Sequence, residues 1–270
     1  MTVDSGQTML HLLRIVVSGG RRKLALMLGA VVLLAAMPAA HATLLGAMFG
    51  ESVVGSEKIV RQTRELGHFT GLSIQLPATI ELRQGEEERI TIDTSDNLLA
   101  QIETVVDGMS LKIRPRDPRM RIHAKTLKII IEARKISAIE IGSSAALHAA
   151  SLRAMKLNIA IGGSSQVRFD LLENDVLSVA LGGSGVFQAA GQGRELSASI
   201  GGSGLVDTGR FKVDIASINI GGAGHVKVAA RSTLRMNLAG SGEVGYYGDP
   251  KVSSSVVGSA TFARLGAMPD

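Results

Sequence analysis

The sequence predicts an all-β protein whose main body is a parallel β-helix, or β-solenoid, with about 20 residues per coil. Composition is the first observation: 32 glycines stand beside only 6 prolines and 3% aromatic residues, which is typical of a turn-rich protein with an aliphatic core. The second is a glycine motif that recurs down the C-terminal half. The third is that apolar and small polar residues alternate around each motif with period two, as they do in strands.

The repeat is an aliphatic residue followed by Gly-Gly-Ser or a close variant. The aliphatic residues are Ile141, Ile161, Leu181, Ile200, Ile220, Leu238 and Val256, at spacings of 20, 20, 19, 20, 18 and 18 residues. Apolar residues also recur four and two positions before this residue and six positions after it. Because stacked strands lie about 4.8 Å apart, these columns would form a continuous interior that no single coil buries alone. The glycines are expected at the corners of each coil.

The segment before the repeats, residues 59–135, lacks the glycine period. It contains short strand-like runs, with turns around Gly85 and Gly108. We interpret it as an irregular β N-terminal segment that caps the solenoid, because stacked repeats need a protected end. The predicted organisation is a signal peptide over 1–42, a linker over 43–58, this capping segment over 59–135 and the Gly-Gly-Ser solenoid over 136–266.

The N-terminus has the order of a signal peptide. Arg21, Arg22 and Lys23 precede an apolar run over 24–37, and Ala-His-Ala over 40–42 predicts cleavage after Ala42. The run has 14 residues, fewer than the roughly 20 that span a bilayer, although an uncleaved anchor is the alternative. The predicted location is therefore the periplasm, the outer membrane or the medium. With no cysteine, neither disulfides nor cysteine lipidation are available.

Charge argues against nucleic acid as a partner. Without residues 1–42 the chain carries 29 − 4 = 25 basic and 24 − 1 = 23 acidic residues, a net charge of +2. One basic stretch lies between the upstream strands and the repeats. We favour a solvated connecting segment there, with binding of anionic glycans or lipid head groups as the alternative. Its members are Arg114, Arg116, Arg119, Arg121, Lys125 and Lys128.

No motif predicts catalysis, a metal or a cofactor. Gly240–Gly245 has dinucleotide-binding spacing, but Tyr-Tyr-Gly-Asp-Pro follows instead of a helix. Asp207 falls one position late for the calcium-binding nonapeptide. The serine after each glycine pair forms a column, interpreted as a structural ladder of hydroxyls because a catalytic serine needs a base. The histidines show no ligand spacing. We therefore predict a non-enzymatic protein.

The outward positions of the strand before the glycines carry small, uncharged residues. Such a flat face loses little side-chain entropy on contact and suits a partner surface. Packing against the protein's own N-terminal segment is the alternative, which we favour. The candidate interaction face consists of Asn158, Ser178, Ser197, Ser199, Ser217, Asn219 and Asn237.

Several short motifs together resemble one known family. They are Phe69-Thr-Gly-Leu-Ser-Ile, Leu82-Arg-Gln-Gly, Asp96-Asn-Leu-Leu, Asp107-Gly-Met-Ser-Leu-Lys-Ile, the Gly-Gly-Ser-Gly series and Glu243-Val-Gly-Tyr-Tyr-Gly-Asp-Pro. Over about residues 57–265 the chain resembles the head GIN domain family of putative auto-transporter adhesins. The resemblance implies a β-helix-like fold outside the cytoplasm and offers no catalytic residues.

The sequence thus predicts an exported, non-enzymatic β-solenoid for surface interaction, adhesion or envelope scaffolding. Its expected partner is an envelope protein, a surface glycan or a second copy. The alternative is an envelope protein that binds or degrades polysaccharide. The chain has no tryptophan and only Tyr246 and Tyr247 as tyrosines, so it offers little aromatic platform for sugar rings.

Overall fold

The computed structural model describes residues 52–269. The predicted signal peptide and residues 43–51 of the predicted linker lie outside the described residues. The described elements are β1 (Ser52–Val54), β2 (Ile59–Glu65), β3 (Gly71–Ile74), β4 (Thr79–Gln84), β5 (Arg89–Ser95), α1 (Asp96–Leu99), β6 (Ile102–Asp107), β7 (Ser110–Pro115), β8 (Arg121–His123), β9 (Leu127–Ala133), β10 (Ala138–Ile141), β11 (Ala146–Ala149), β12 (Leu152–Gly163), β13 (Gln166–Gly183), β14 (Val186–Ile200), β15 (Leu205–Gly222), β16 (His225–Gly240), β17 (Glu243–Tyr247), β18 (Lys251–Gly258) and β19 (Thr261–Gly266). No described helix is long and apolar enough to cross a membrane.

The repeats form a parallel β-solenoid, which confirms the predicted fold class. Each aliphatic residue before the glycines pairs with its counterpart one coil away: Ile141 with Ile161, Ile161 with Leu181, and so on to Leu238 with Val256. The column six positions later is also in register, from Leu147 to Phe262. Equal repeats stack in this way because each inward column then meets the same column of the next coil.

Each coil has three faces. The first face precedes the glycines and is formed by β10, β18 and the ends of the long strands between them. The second face follows the glycines and begins at β11. The third face returns to the first and includes residues 152–154, 172–174 and 191–193. Pairing along the third face is less regular, with register shifts between Phe169 and Leu172 and between Gln188 and Ala190.

The glycines lie at the corner between the first and second faces, as predicted. Gly183 has a φ of +118°, and a Cβ there would lie 2.6 Å from the carbonyl oxygen of Gly163 one coil away. A side chain would therefore need both an unfavourable backbone conformation and a shift of the neighbouring backbone. The repeated glycine thus follows from the geometry of the corner.

The interior is mainly aliphatic, as composition predicted. The inward columns of the coils before β18 are buried, and most of their side chains are 0–2% exposed. Four phenylalanines are also fully buried, and the rings of Phe169 and Phe187 lie 6.1 Å apart in a tilted arrangement. Aromatic pairs prefer this offset geometry to a face-to-face stack.

The upstream strands extend the solenoid. β3 pairs in parallel with β10, and β4 with β11, so they form the next level of the first and second faces. β7 and β9 add a further level by pairing in parallel with β3 and β4. The level formed by β3 and β4 therefore lies between the level of β7 and β9 and the level of β10 and β11, although it comes first in the chain. Antiparallel pairings place β5 beside β9, β2 beside β5 and β6 beside β7.

Candidate functional site

The structure brings the predicted interaction face together on the first face of the solenoid. Asn158, Ser178, Ser197 and Ser217 form one outward column, and Ser199, Asn219 and Asn237 form the other. Asn237 Nδ2 donates to Asn219 Oδ1 at 3.0 Å. The seven side chains are exposed or half-exposed. From the sequence we expect the N-terminal segment to pack on this face. Within residues 52–269 that expectation is wrong, because the upstream strands stack on the end of the solenoid instead.

A second surface feature, which the sequence did not suggest, lies along the third face. It is an open groove of about 960 Å³ where the third face turns back into the first. Residues 134–137, 153–156, 173–175 and 192–194 line it together with Asp214 and Arg231, so six consecutive levels contribute. We call it the third-face groove.

Positive charge dominates the third-face groove. Its lining contains three acidic residues, Glu173, Asp175 and Asp214. The cationic residues of the lining are Arg134, Lys135, Arg153, Lys156, Arg194 and Arg231. With six cations against three anions, the formal net charge of the lining is 6 − 3 = +3.

Ion pairs hold part of this charge in place. Arg153 Nε lies 2.8 Å from Glu173 Oε2, and Arg231 Nη1 lies 3.2 Å from Asp214 Oδ1. Lys135 and Lys156 form no ion pair with any described residue. A ligand can engage their ammonium groups without first breaking an ion pair, and the same holds for Arg134, whose Nε donates to the carbonyl oxygen of Glu86 at 2.6 Å.

Asn174 lies at the base of the third-face groove. Its side chain is 8% exposed, and neither amide atom has a hydrogen-bond partner among the described residues. Ala154 and Gly193 occupy the same column on the adjacent coils. A Cβ on Gly193 would lie 3.0 Å from Asn174 Oδ1 and 2.8 Å from a ring carbon of Phe211. Small residues thus leave room beside an amide whose hydrogen-bonding capacity is unused.

The edge of the groove is held by Gln84, from the end of β4. Its Nε2 donates to the carbonyl oxygens of Arg134 and Arg153, at 3.1 Å each, and its Oε1 accepts from the Arg153 amide at 2.8 Å. One side chain therefore joins three levels of the solenoid. Sequence reasoning missed this contact because Gln84 and Arg153 are 69 residues apart.

The basic stretch predicted between the upstream strands and the repeats is largely paired. Arg114 lies 2.7 Å from Glu103, and Lys128 lies 3.5 Å from Glu81. Arg119 contacts Asp117, and Lys125 contacts Glu57. The stretch is not only a connecting segment, because Arg114, Arg121 and Lys128 belong to β7, β8 and β9.

In the column of serines after the glycines, backbone hydrogen bonds connect one coil to the next, and the predicted ladder of hydroxyls does not form. The amides of Ser184 and Ser203 donate to the carbonyl oxygens of Gly163 and Gly183, at 3.0 and 2.9 Å. Peptide groups already point along the stacking direction at this corner, so the hydroxyls remain on the surface. Hydroxyls outside this column do bond between levels at this corner: Ser143 donates to the carbonyl oxygen of Leu76 at 2.8 Å, and Ser165 donates to the carbonyl oxygen of Ser143.

The other sequence motifs also have structural explanations. The carboxylate of Asp207 accepts from the amide of Gly209 at 3.2 Å. On the second face, Asp170 accepts hydrogen bonds from Arg168 and lies 2.7 Å from His148, and these two neighbours, Arg168 first, hold the pKa of its carboxyl below the ordinary range. Among residues 52–269, no three His, Asp or Glu side chains are placed to hold a metal ion.

Solved structures with the same fold come from Bacteroides and Parabacteroides species. A putative adhesin from Bacteroides fragilis superposes with a TM-score of 0.74 at 20% identity, covering 79% of this chain and 100% of its own. A putative lipid binding protein from Parabacteroides distasonis superposes with a TM-score of 0.67 at 22% identity, covering 80% and 100%. A putative adhesin from Parabacteroides merdae gives 0.65 at 17% identity, again covering 80% and 100%. None of these three descriptions names an enzyme.

The family assignment rests on sequence. Comparison with curated proteins finds no match. The family model described as "Putative auto-transporter adhesin, head GIN domain" matches residues 68–250. That span includes β3, the upstream levels and all the glycine corners except the last, Gly258. The resemblance noted in the motifs is therefore confirmed, and the chain belongs to the head GIN domain family of putative auto-transporter adhesins.

Proposed function

We propose that the protein is a non-enzymatic binding module of the bacterial envelope, and that the third-face groove holds anionic groups of an envelope polysaccharide. The observation that carries the proposal is the excess of positive charge in the groove, with Lys135 and Lys156 outside any described ion pair. An acidic glycan presents carboxylates or phosphates at regular intervals, and cations distributed over six stacked levels suit such a polymer.

The chemistry of the groove favours binding over turnover. Two of the three acids that line it, Glu173 and Asp214, are each engaged by an arginine, and the third, Asp175, is exposed. Carboxylates paired in this way hold the arginine side chains in place along the groove. The unpaired amide of Asn174 adds a group that can donate to and accept from a hydroxyl.

The test is direct binding of the purified protein to a defined anionic polymer. We expect polygalacturonate to bind, neutral dextran not to bind, and added salt to weaken the complex because exposed charges are screened over about 8 Å at physiological ionic strength. Lys156→Glu should lower the affinity about tenfold, since it removes one attraction and adds one repulsion.

Lys227→Glu is the matched control for that experiment. Lys227 is an exposed lysine on the outward side of β16, outside the groove, so the substitution changes net charge equally. Equal loss of binding in both variants would show that only the net charge of the protein matters, and it would contradict binding in the third-face groove. Binding to anionic lipid vesicles but not to any acidic polysaccharide would contradict the proposed ligand class.

The flat first face is a second contact surface in this proposal. Its small outward side chains, Ser197 and Ser217 among them, leave a surface on which another sheet or a flat partner can lie. Arginine at both positions should abolish attachment of the protein to cells while leaving its melting temperature within a few degrees. Unchanged cell attachment, self-association and folding in that double variant would remove this face as a contact.

Export is also part of the proposal and rests on the predicted signal peptide over 1–42. Fractionation of cells that express a tagged copy, with protease treatment of intact cells, measures it. A processed, protease-sensitive form outside the cell would support adhesion. A processed form confined to the periplasm would contradict adhesion and support a role within the envelope. A form that stays in the cytoplasm would overturn the proposal.

A further inference from the structure

The last described coil of the solenoid has an uncovered apolar interior. Val252 and Val256 of β18 and Phe262 of β19 are 38%, 41% and 39% exposed. Their counterparts one coil earlier, Leu234, Leu238 and Val244, are 0–1% exposed. Every residue from Lys251 to Pro269 is exposed or half-exposed. The inward columns therefore continue into this coil, but no described residue covers them.

The backbone of β18 is also unpaired on one side. On the first face, the amides of Asn158 and Gly201, which belong to outward positions, donate to the preceding coil. Because peptide groups alternate in direction along a strand, the N–H and C=O groups of inward residues point to the following coil. In β18 these residues are Val252, Ser254 and Val256, and among the described residues β16 is the only strand that pairs with β18.

This edge lacks the features that normally prevent strand addition. Lys251 is the only charged residue of β18, it lies at the first position, and the strand contains no proline. The next seven residues are valine, serine and glycine. Edge strands usually carry charges, prolines or bulges that block pairing with another chain. The composition of β18 instead permits a further strand to join.

β18 is complementary to a second copy of itself. In an antiparallel pair centred on Ser254, Val252 of one copy lies opposite Val256 of the other, and Ser254 lies opposite Ser254. Directly opposed residues point to the same side of the sheet, so the apolar columns of the two copies meet. The unpaired peptide groups of the inward residues meet one another as well. The pair has two-fold symmetry, so the assembly contains two copies and does not continue into a longer chain.

The surface that a second copy would cover consists of the inward-facing side chains of the last coil, Val252, Val256 and Phe262 among them. We propose that two copies of the protein stack end to end through the last coil, with β18 paired to β18 of the partner and Phe262 covered by the partner's coil. The proposal is independent of the ligand of the third-face groove, which lies on other residues.

Sedimentation velocity of the purified protein from about 1 to about 100 μM spans the range of micromolar dissociation constants. We expect a concentration-dependent dimer of the wild-type protein. Val256→Lys places a charge in the apolar column and should give a monomer with an unchanged circular dichroism spectrum. Ser253→Lys is the control, since it adds the same charge on the outward side of the same strand and should leave the dimer intact.

Cross-linking tests the register. The chain has no cysteine, so Ser254→Cys introduces a single thiol at the symmetry axis. Opposed residues there have Cα atoms about 5.5 Å apart, within disulfide reach, and oxidation should give a covalent dimer. Ser203→Cys, at an exposed corner, should give none. A monomer at every concentration, or a dimer that resists Val256→Lys and does not cross-link at Ser254→Cys, would overturn the proposal.

Discussion

Gly204 lies directly against Leu181 of the preceding coil. A Cβ on Gly204 would be 1.8 Å from Leu181 Cδ2 and 2.7 Å from the carbonyl oxygen of Gly185. The glycine is therefore required by close packing between coils. Gly201, three residues earlier in the same motif, has nothing within 4 Å of its Cβ position. The two glycines of one motif thus have different structural constraints.

The first prediction follows from that difference. Gly204→Ala should lower the free energy of unfolding by about 1–3 kcal/mol, because the added methyl group overpacks the corner and a backbone oxygen limits relaxation. Gly201→Ala, the matched control, should change it by no more than about 0.5 kcal/mol. Chemical denaturation measures both values. Equal effects of the two substitutions would contradict the packing explanation.

Phe187 lies in the core of the solenoid. It is fully buried and packs against Phe169 on the adjacent coil. Phe187→Ala should cost about 3–5 kcal/mol, since it leaves a cavity between stacked coils that cannot collapse easily. Leu171→Ala, at a side chain that is 44% exposed, is the comparison and should cost much less. Thermal and urea unfolding give the two numbers, and similar losses would show that the coil interior is not tightly packed.

Acid stability should depend on the pair formed by Arg61 and Asp93 on β2 and β5. Both Arg61 Nε and Nη2 donate to the carboxylate at 2.6 Å, and this guanidinium holds the pKa of Asp93 below the ordinary range. A carboxyl whose folded pKa is lowered stabilises the fold above its unfolded pKa, about 3.9, and loses that contribution as pH falls through the folded pKa.

The corresponding experiment compares melting temperatures between about pH 2.5 and pH 7 for Asp93→Asn and the wild-type protein. We expect the variant to melt lower at neutral pH and to lose less stability than the wild type below about pH 4. Asp175→Asn, at an exposed carboxylate, should leave the shape of the wild-type curve unchanged. A parallel decline of all three curves would exclude a role for this pair.

Gln84 should stabilise the junction between the upstream level and the repeats. Its amide makes three hydrogen bonds to backbone groups of Arg134 and Arg153. Gln84→Ala should cost about 0.5–1.5 kcal/mol, limited because water reaches the freed groups. Faster amide exchange at Arg153 is the local measurement. Gln166→Ala, an exposed glutamine of β13, should leave exchange at that site unchanged.

How much the sequence predicts differs between the two halves of the protein. Around Ile161 and Leu181 the alternation, the glycine corner and the spacing all agree, and each is a local property of the repeat. Around Leu72 and Leu111 the sequence pattern indicates strands, but it does not indicate which other strands they pair with. β3 and β7 pair with one another although they are almost 40 residues apart, and β10 then pairs on the other side of β3.

The third-face groove could not be predicted from the repeat. Its cations form no continuous column of the repeat. Arg134 and Arg231 both lie seven residues before the aliphatic residue of their coils, but the four coils between them carry Ala154, Asn174, Gly193 and Val213 at that position. Register shifts on the third face displace them further, as between Phe169 and Leu172. A periodic search detects equal positions only, and these residues are brought together by an irregular turn of the backbone.

The parallel coil, its aliphatic columns and the position of its glycine corners can all be predicted from the amino-acid sequence, because they depend on side chains repeated at a fixed interval. The tertiary structure alone decided the order of the upstream levels, the grouping of cations in the groove and the exposure of Val256 and Phe262. Each of those depends on which strands meet across long stretches of chain, and pairing partners are selected by packing of the whole stack and not by any local pattern.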